Sequence, residues 1–165
     1  MSSEHPDPAL AADILMRQFN DLNLAGFTNG QHPRPTDGSI SRINTHFGIR
    51  LPRTLVQLAK HSKNYNVLFL SLGADYTSPS HIIRVNSHWR RRRRKRRIPR
   101  NLVIVTEGYM DERFWCLDVS APAQGGDGYA MQFWCPEELI YPSDDRPVQR
   151  YPDFDSYLAG VIKWA

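Results

Sequence analysis

The stretch LVIVTEGYMDERFWCLDVSAPAQGGDGYAMQFW at 102–134 decides the fold class. It opens on LVIVT (102–106), a run of β-branched residues suited to a pleated, half-buried surface. Gly108 to Asp111 offers a turn, and RFWCLDV (113–119) is the matching hairpin strand. Gly125, Gly126 and Gly128 mark a second reversal, after which YAMQFW (129–134) supplies a third strand. Three strands joined by short turns predict an antiparallel meander in the middle of the chain.

The flanks on both sides are helical. From Pro8, the residues Leu10, Ile14, Leu15, Gln18 and Leu22 recur at helical spacing, predicting a first helix over 8–22. Residues 26–38 are rich in Gly, Pro, Asn and Thr and read as a loop. A second helix is expected after Ser39 as N-cap, with Ile40, Ile43 and Phe47 on one side and Gly48 ending it. Pro52 suits the first position of a third helix, buried through Leu55, Leu58 and Ala59 and ending near 61–64. NVLFLSL (66–72) reads as a short buried strand.

Ser78 and Pro79 look like another helix start, with Ile82, Val85 and Trp89 as its apolar stripe. Phe154, Tyr157, Leu158, Val161 and Ile162 outline a closing helix, with Asp153 or Asp155 near its start. The expected fold class is α+β: N-terminal helices, a central antiparallel β-meander and a C-terminal helix. Residues 1–38 are expected as an N-terminal helix and loop extension packed on the domain, and 39–165 as the α+β domain.

Charge divides the chain unevenly. Residues 90–97 are RRRRRKRR, eight consecutive cations, in a chain whose formal charge is +4. The remainder therefore carries −4, so two electrostatic faces are expected. Like charges at i, i+4 oppose helix formation, so the helix carrying Trp89 should fray or stop inside the run, and Pro99 forbids its continuation. Three accounts of the run stand side by side. It is a solvated helix end or disordered loop, a contact for an acidic protein surface, or a nucleic-acid or nuclear-import segment. Arginine fills seven of the eight places, and its planar fork pairs with carboxylate and phosphate alike. No recognition helix accompanies the run, which argues against sequence-specific DNA reading.

At 165 residues the chain suffices for one domain that needs no disulfide or metal to fold. Cys116 and Cys135, the two cysteines, sit in aromatic strand-like segments and read as core packing, a disulfide being the lesser alternative. No apolar run is long enough to span a bilayer. MSSEHPDPALAAD at the start lacks the features of a signal peptide, so a cytoplasmic location is expected.

Catalytic motifs are not evident. GxSxG, HExxH, P-loop and CxxC patterns are missing, and Gly125 to Gly128 lacks the Lys-Ser/Thr and helix of a phosphate loop. His5, His32, His46, His61, His81 and His88 contain no i, i+4 pair suited to a metal, so no metal or cofactor is expected. An enzyme would need a deep pocket with converging polar groups. Glu107, Asp111 and Glu112 gather at the first hairpin turn, and Glu137, Glu138, Asp144 and Asp145 after the third strand. They read as a solvated acidic rim, or as a phosphate-mimicking surface that covers a basic partner. Trp89, Trp115, Trp134 and Trp164 fall in periodic segments and read as core. Trp115 and Trp134, on neighbouring strands, are placed to pack on each other or on the helices, and Trp89 beside the arginines is the candidate interface anchor.

The order of these segments resembles the SUKH superfamily, the Smi/Knr-like proteins. FGIRLP (47–52) resembles that family's junction of helix, glycine turn and Leu-Pro helix entry, continued by Leu55, Leu58 and Asn64. IPRNLVIVTEG (98–108) and FWCLDVS (114–120), with its apolar-Asp-Ser ending, resemble the central hairpin. MQFW (131–134) resembles the third strand and FDSYLAGVI (154–162) the terminal helix, so the likeness covers 40–163. Asn64-Tyr65-Asn66 stands where the family often has a glycine-containing turn, and the basic run is unusual for it.

The resemblance implies a non-enzymatic immunity protein that binds a cognate toxin domain, of nuclease or deaminase type, and occludes its active site or substrate groove. The expected contact residues are Trp89, Arg90, Arg91, Arg92, Arg93 and Arg94, with the acids Glu107, Asp111, Glu112, Glu137, Glu138, Asp144 and Asp145. A nucleic-acid-binding or regulatory module acting through 90–97 is the alternative.

Overall fold

Four antiparallel strands form one sheet in the order β1-β2-β3-β4, the expected meander with one strand added. They are β1 (Leu102–Ile104), β2 (Phe114–Pro122), β3 (Tyr129–Trp134) and β4 (Arg150–Tyr151). The structure, a computed structural model, describes residues 8–24, 33–73, 80–106, 112–136 and 150–164. Strand β4 was not legible in the sequence: two residues pairing as Met131↔Tyr151 and Gln132↔Arg150 carry no periodic signal. Among the described residues six α-helices complete the α+β fold: α1 (Pro8–Asn20), α2 (Asp37–Phe47), α3 (Arg53–His61), α4 (Tyr65–Leu68), α5 (His81–Arg90) and α6 (Phe154–Trp164). None of the described helices is long and apolar enough to cross a membrane.

Of the two arrangements open to Trp115 and Trp134, the pleat selects packing on the helices and not on each other. Phe114 pairs with Trp134 and Trp115 with Phe133, so Trp115 and Trp134 fall on opposite faces. Trp134 stacks on Phe114, and both rings meet Trp89 of α5. Trp115 instead meets Tyr151 of β4 and Tyr157 of α6. Each face thus has its own aromatic cluster, one under α5 and one under α6.

Helix α2 starts earlier than its sequence suggests. Thr36 is the N-cap: its Oγ1 accepts from Ser39 N at 3.1 Å, while Ser39 Oγ accepts from Thr36 N at 3.0 Å. Ser39 is the reciprocal partner at the third helical position of a capping box, not the cap itself. Gly48 ends α2 in the left-handed conformation at φ 64°, as expected of a C-terminal glycine.

NVLFLSL is only partly extended, which corrects the expected strand. Its first residues form the single turn α4, and Phe69 makes one bridge to Thr106. Tyr65 Oη donates to Leu70 O at 2.9 Å across this turn. Phe69 sits at the centre of the core, its ring meeting Phe19, Tyr65, Phe154 and Tyr157. Burial of one aromatic among helices decides this segment, and a ladder is not required for it.

Helix α1 contributes Phe19 to that cluster. Its last carbonyls need partners, and the buried Asn64 amide donates to Phe19 O at 2.9 Å and, just past the helix end, to Leu22 O at 3.0 Å. Helix α3 receives its N-terminal cap from far away. Pro52 precedes it without a side-chain cap, and the Asp127 carboxylate accepts from Arg53 N at 3.2 Å. The loop bearing Asp127 lies so close that a Cβ on Gly128, whose φ is +81°, would stand 2.7 Å from Pro52 Cγ. Cys116 is a buried free thiol of the core, its pKa pushed up by that burial.

Candidate interface at the arginine loop

Helix α5 positions the basic run, and one asparagine positions α5. Ile82, Asn86 and Trp89 form its buried side. Asn86 is fully buried, yet asparagine is usually exposed. Its Oδ1 accepts from Ile104 N at 2.8 Å, and its Nδ2 donates to Ile104 O and Ile82 O at 2.9 Å each. The side chain therefore takes the place of a further strand on the open edge of β1. Farther along, Leu70 N donates to Val105 O at 2.8 Å, so the edge is closed there too. Sequence reasoning passed over Asn86. The available signal was a polar residue four positions after Ile82 on an otherwise apolar face.

The helix stops at Arg90, inside the run as expected. The chain then makes a 3₁₀ turn over Arg94–Arg96 and returns to the core at Ile98. Ile98 N donates to Trp89 O at 3.3 Å, closing the loop across its base. Both residues at this base are buried. Residues 91–97 thus form a closed loop on a core anchor, which departs from the disordered-loop account of the run.

The eight cations divide into two sets of different duty. Arg90 lies over the Phe47 ring, 5.2 Å from its centroid, and donates to Leu102 O at 3.5 Å. Burial lowers the pKa of its guanidinium. Arg92 sits 5.7 Å from the Trp89 ring centroid, and its Nε donates to His88 Nε2 at 3.1 Å. That bond requires the His88 proton on Nδ1. Arg97 Nε donates to Arg92 O at 3.2 Å, and Arg96 pairs with Glu112 at 2.7 Å. Arg91, Arg93, Arg94 and Lys95 are exposed and carry no ion pair among the described residues.

Of the expected contact residues, Trp89 is core: it is 6% exposed, so its ring has almost no surface to offer a partner. Glu112, expected in an acidic rim, is drawn to the basic run by Arg96 and adopts φ 54° in the left-handed region. Glu107, Asp111, Glu137, Glu138, Asp144 and Asp145 lie outside the described residues.

A second carboxylate, missed as a site residue, holds the exit of the loop. Asp118 is buried at the end of the β1–β2 ladder. Its Oδ1 accepts from Asn101 Nδ2 at 3.0 Å and from Ser120 Oγ at 2.6 Å, and its Oδ2 from Arg150 at 3.0 Å. Burial acts to raise its pKa, but the hydrogen bonds from Ser120, Asn101 and Arg150 outweigh it and hold the carboxyl below its ordinary range. Val119 N also donates to Asn101 O at 2.8 Å. The chain leaving the arginine loop is thereby clamped to β2.

Beside the loop, an open hollow of about 540 Å³ lies along the outer side of α5. Its described lining is Ile83, Arg84, Ser87, His88, Arg91 and Arg92. The volume is in the range of ligand pockets, roughly 300–1,000 Å³. That described lining contains three arginines and a histidine and no carboxylate, so it presents positive charge and hydrogen-bond donors. No group of three or more metal-ligating side chains occurs among the described residues.

No family model and no curated protein matches the chain. A bacterial structure does share its fold. The crystal structure of a protein from Pseudomonas syringae pv. tomato is similar over 92% of this chain and 98% of that one, with a TM-score of 0.55 and 13% identity. A likeness at that identity concerns the fold alone.

Proposed function

We propose that this chain is a SUKH-type binding protein of the cytoplasm that neutralises a cognate toxin domain by stoichiometric occlusion, without a reaction of its own. The observation that carries the reading is the arginine loop: four exposed cations, without an ion pair among the described residues, displayed on a backbone anchored at Trp89 and Ile98. Ordering a loop on binding costs about 1–2 kcal/mol per residue of backbone, and a loop already closed avoids much of it. An antidote of nanomolar affinity needs about −12 kcal/mol, so such avoided costs matter. Charge on the loop speeds encounter with an acidic surface and rejects basic partners. The toxin is of nuclease or deaminase type in this reading, and the occluded surface is carboxylate-rich.

The test is to look for a toxin domain encoded beside this chain's gene and to measure capture and growth protection with it. Replacing Arg91, Arg93, Arg94 and Lys95 with Gln should abolish both while leaving the melting midpoint unchanged. Full protection by that variant would sink the reading. The same four exposed cations favour one alternative, a nucleic-acid module. If all four met phosphates of duplex DNA, log affinity would fall with log salt at a slope of about −3.6. Such a slope, with micromolar binding at physiological salt, would replace the toxin reading.

A further inference from the structure

We infer that the hollow on α5 is the seat of an acidic amphipathic helix belonging to the partner. This rests on the protein-binding reading above and names the partner's chemistry at one surface. Arg84 and His88 of α5, with Arg91 at its C-cap still in the right-handed helical region, follow one another at i, i+4 and i+7, so they form a stripe along one side of the hollow. Arg84 and Arg91 are two turns apart, about 10.5 Å along the axis. Carboxylates at i and i+7 of a helix lying alongside have the same separation. Arg84 and Arg91 are exposed and have no ion pair among the described residues, so both guanidinium forks are available for carboxylates.

The rest of the lining favours a protein helix over a nucleic acid. Ile83 gives the hollow an apolar floor, and Ser87 is small enough for a helix backbone to approach at the usual interaxial distance of about 8–10 Å. Phosphates make no use of an apolar floor. Among the described residues the hollow has no aromatic platform for bases, and the neighbouring indole, Trp89, lies buried beneath Arg92. Arg92 is already held by His88 and the Trp89 ring, so it walls the end of the hollow in a set geometry. The arginine loop supplies long-range attraction, and the hollow supplies register.

The experiment uses the full chain and a fluorescein-labelled helical peptide with glutamates at i and i+7 and leucines between them. Binding is read by anisotropy at physiological salt. Arg84→Gln and Arg91→Gln should each weaken it about tenfold, the worth of one charge-assisted hydrogen-bonded contact. Ile83→Ser should also weaken it, and Arg93→Gln, at the loop, should leave it within about twofold. Melting midpoints of these surface variants should match the parent. Three results would overturn the inference: equal binding of a scrambled peptide of the same composition, indifference to Arg84→Gln and Arg91→Gln, or tighter binding of a duplex DNA of equal charge. Toxin capture reports separately. If capture persists while the peptide fails, the helix seat is wrong and the antidote reading stands. If the peptide binds as described and no toxin is captured or neutralised, the antidote reading falls.

Discussion

Two loops of opposite composition reach the same condition by the same means. Residues 91–97 carry repelling charges, and residues 123–128 carry three glycines. Composition predicts mobility for both. The arginine loop is closed by Ile98 N on Trp89 O, and its exit is held by Asn101 on Asp118. The glycine loop is closed by Ala123 N on Gly128 O at 3.0 Å and docked by Asp127 on the N-terminus of α3. In each case the anchor is a residue distant in sequence or buried in the core. The difference lies in what remains outside. The glycine loop uses its carboxylate internally, as a helix cap, whereas four cations of the arginine loop stay exposed with no ion pair among the described residues.

The strongest way to break the comparison is to remove the core anchor of the arginine loop. Trp89→Ala should destabilise the domain by about 3–5 kcal/mol, since it empties the cluster with Phe114 and Trp134. Chemical denaturation measures this, and hydrogen exchange should show amides of 91–98 losing protection first.

Next in size is the clamp at the loop exit. Asp118→Asn should cost about 1–3 kcal/mol near neutral pH, because a buried acceptor loses charge-assisted bonds. The sign of its pH dependence follows from the lowered carboxyl. Its stabilisation is complete above the unfolded-state value, about 3.9, and is lost as the pH falls through the lower folded-state value. The variant should therefore converge on the parent in acid, and a pH series of denaturation midpoints checks it.

The glycine loop should answer more mildly. Asp127→Ala removes the cap of α3 and should cost about 0.5–2 kcal/mol, with the loop's amide protection lost and the arginine loop unaffected. Smallest is Arg93→Gln with Arg94→Gln, expected within about 0.5 kcal/mol of the parent. A large loss of stability there would show that those side chains have partners in the fold, and the contrast between the loops would disappear.

Much of the architecture was open to reading along the chain. The apolar periods of α1, α3, α5 and α6, the β-branched and aromatic runs of β1 to β3, and Gly48 each act within a few residues, where spacing is informative. Less was legible at the candidate interface. The eight cations and the end of α5 within them were plain. Asn86 and Asp118 were not, because their partners Ile104 and Arg150 lie 18 and 32 residues away.

Local periodicity established the class of this protein and its charged run, because helical and extended spacing and like-charge repulsion operate between near neighbours. Folding alone sorted the seven arginines and one lysine into those held and those without an ion pair among the described residues, sent Trp115 and Trp134 to opposite faces, and turned a glycine loop into a cap. Those outcomes depend on which distant backbone groups and rings arrive beside each side chain, and contacts of that range are made by packing.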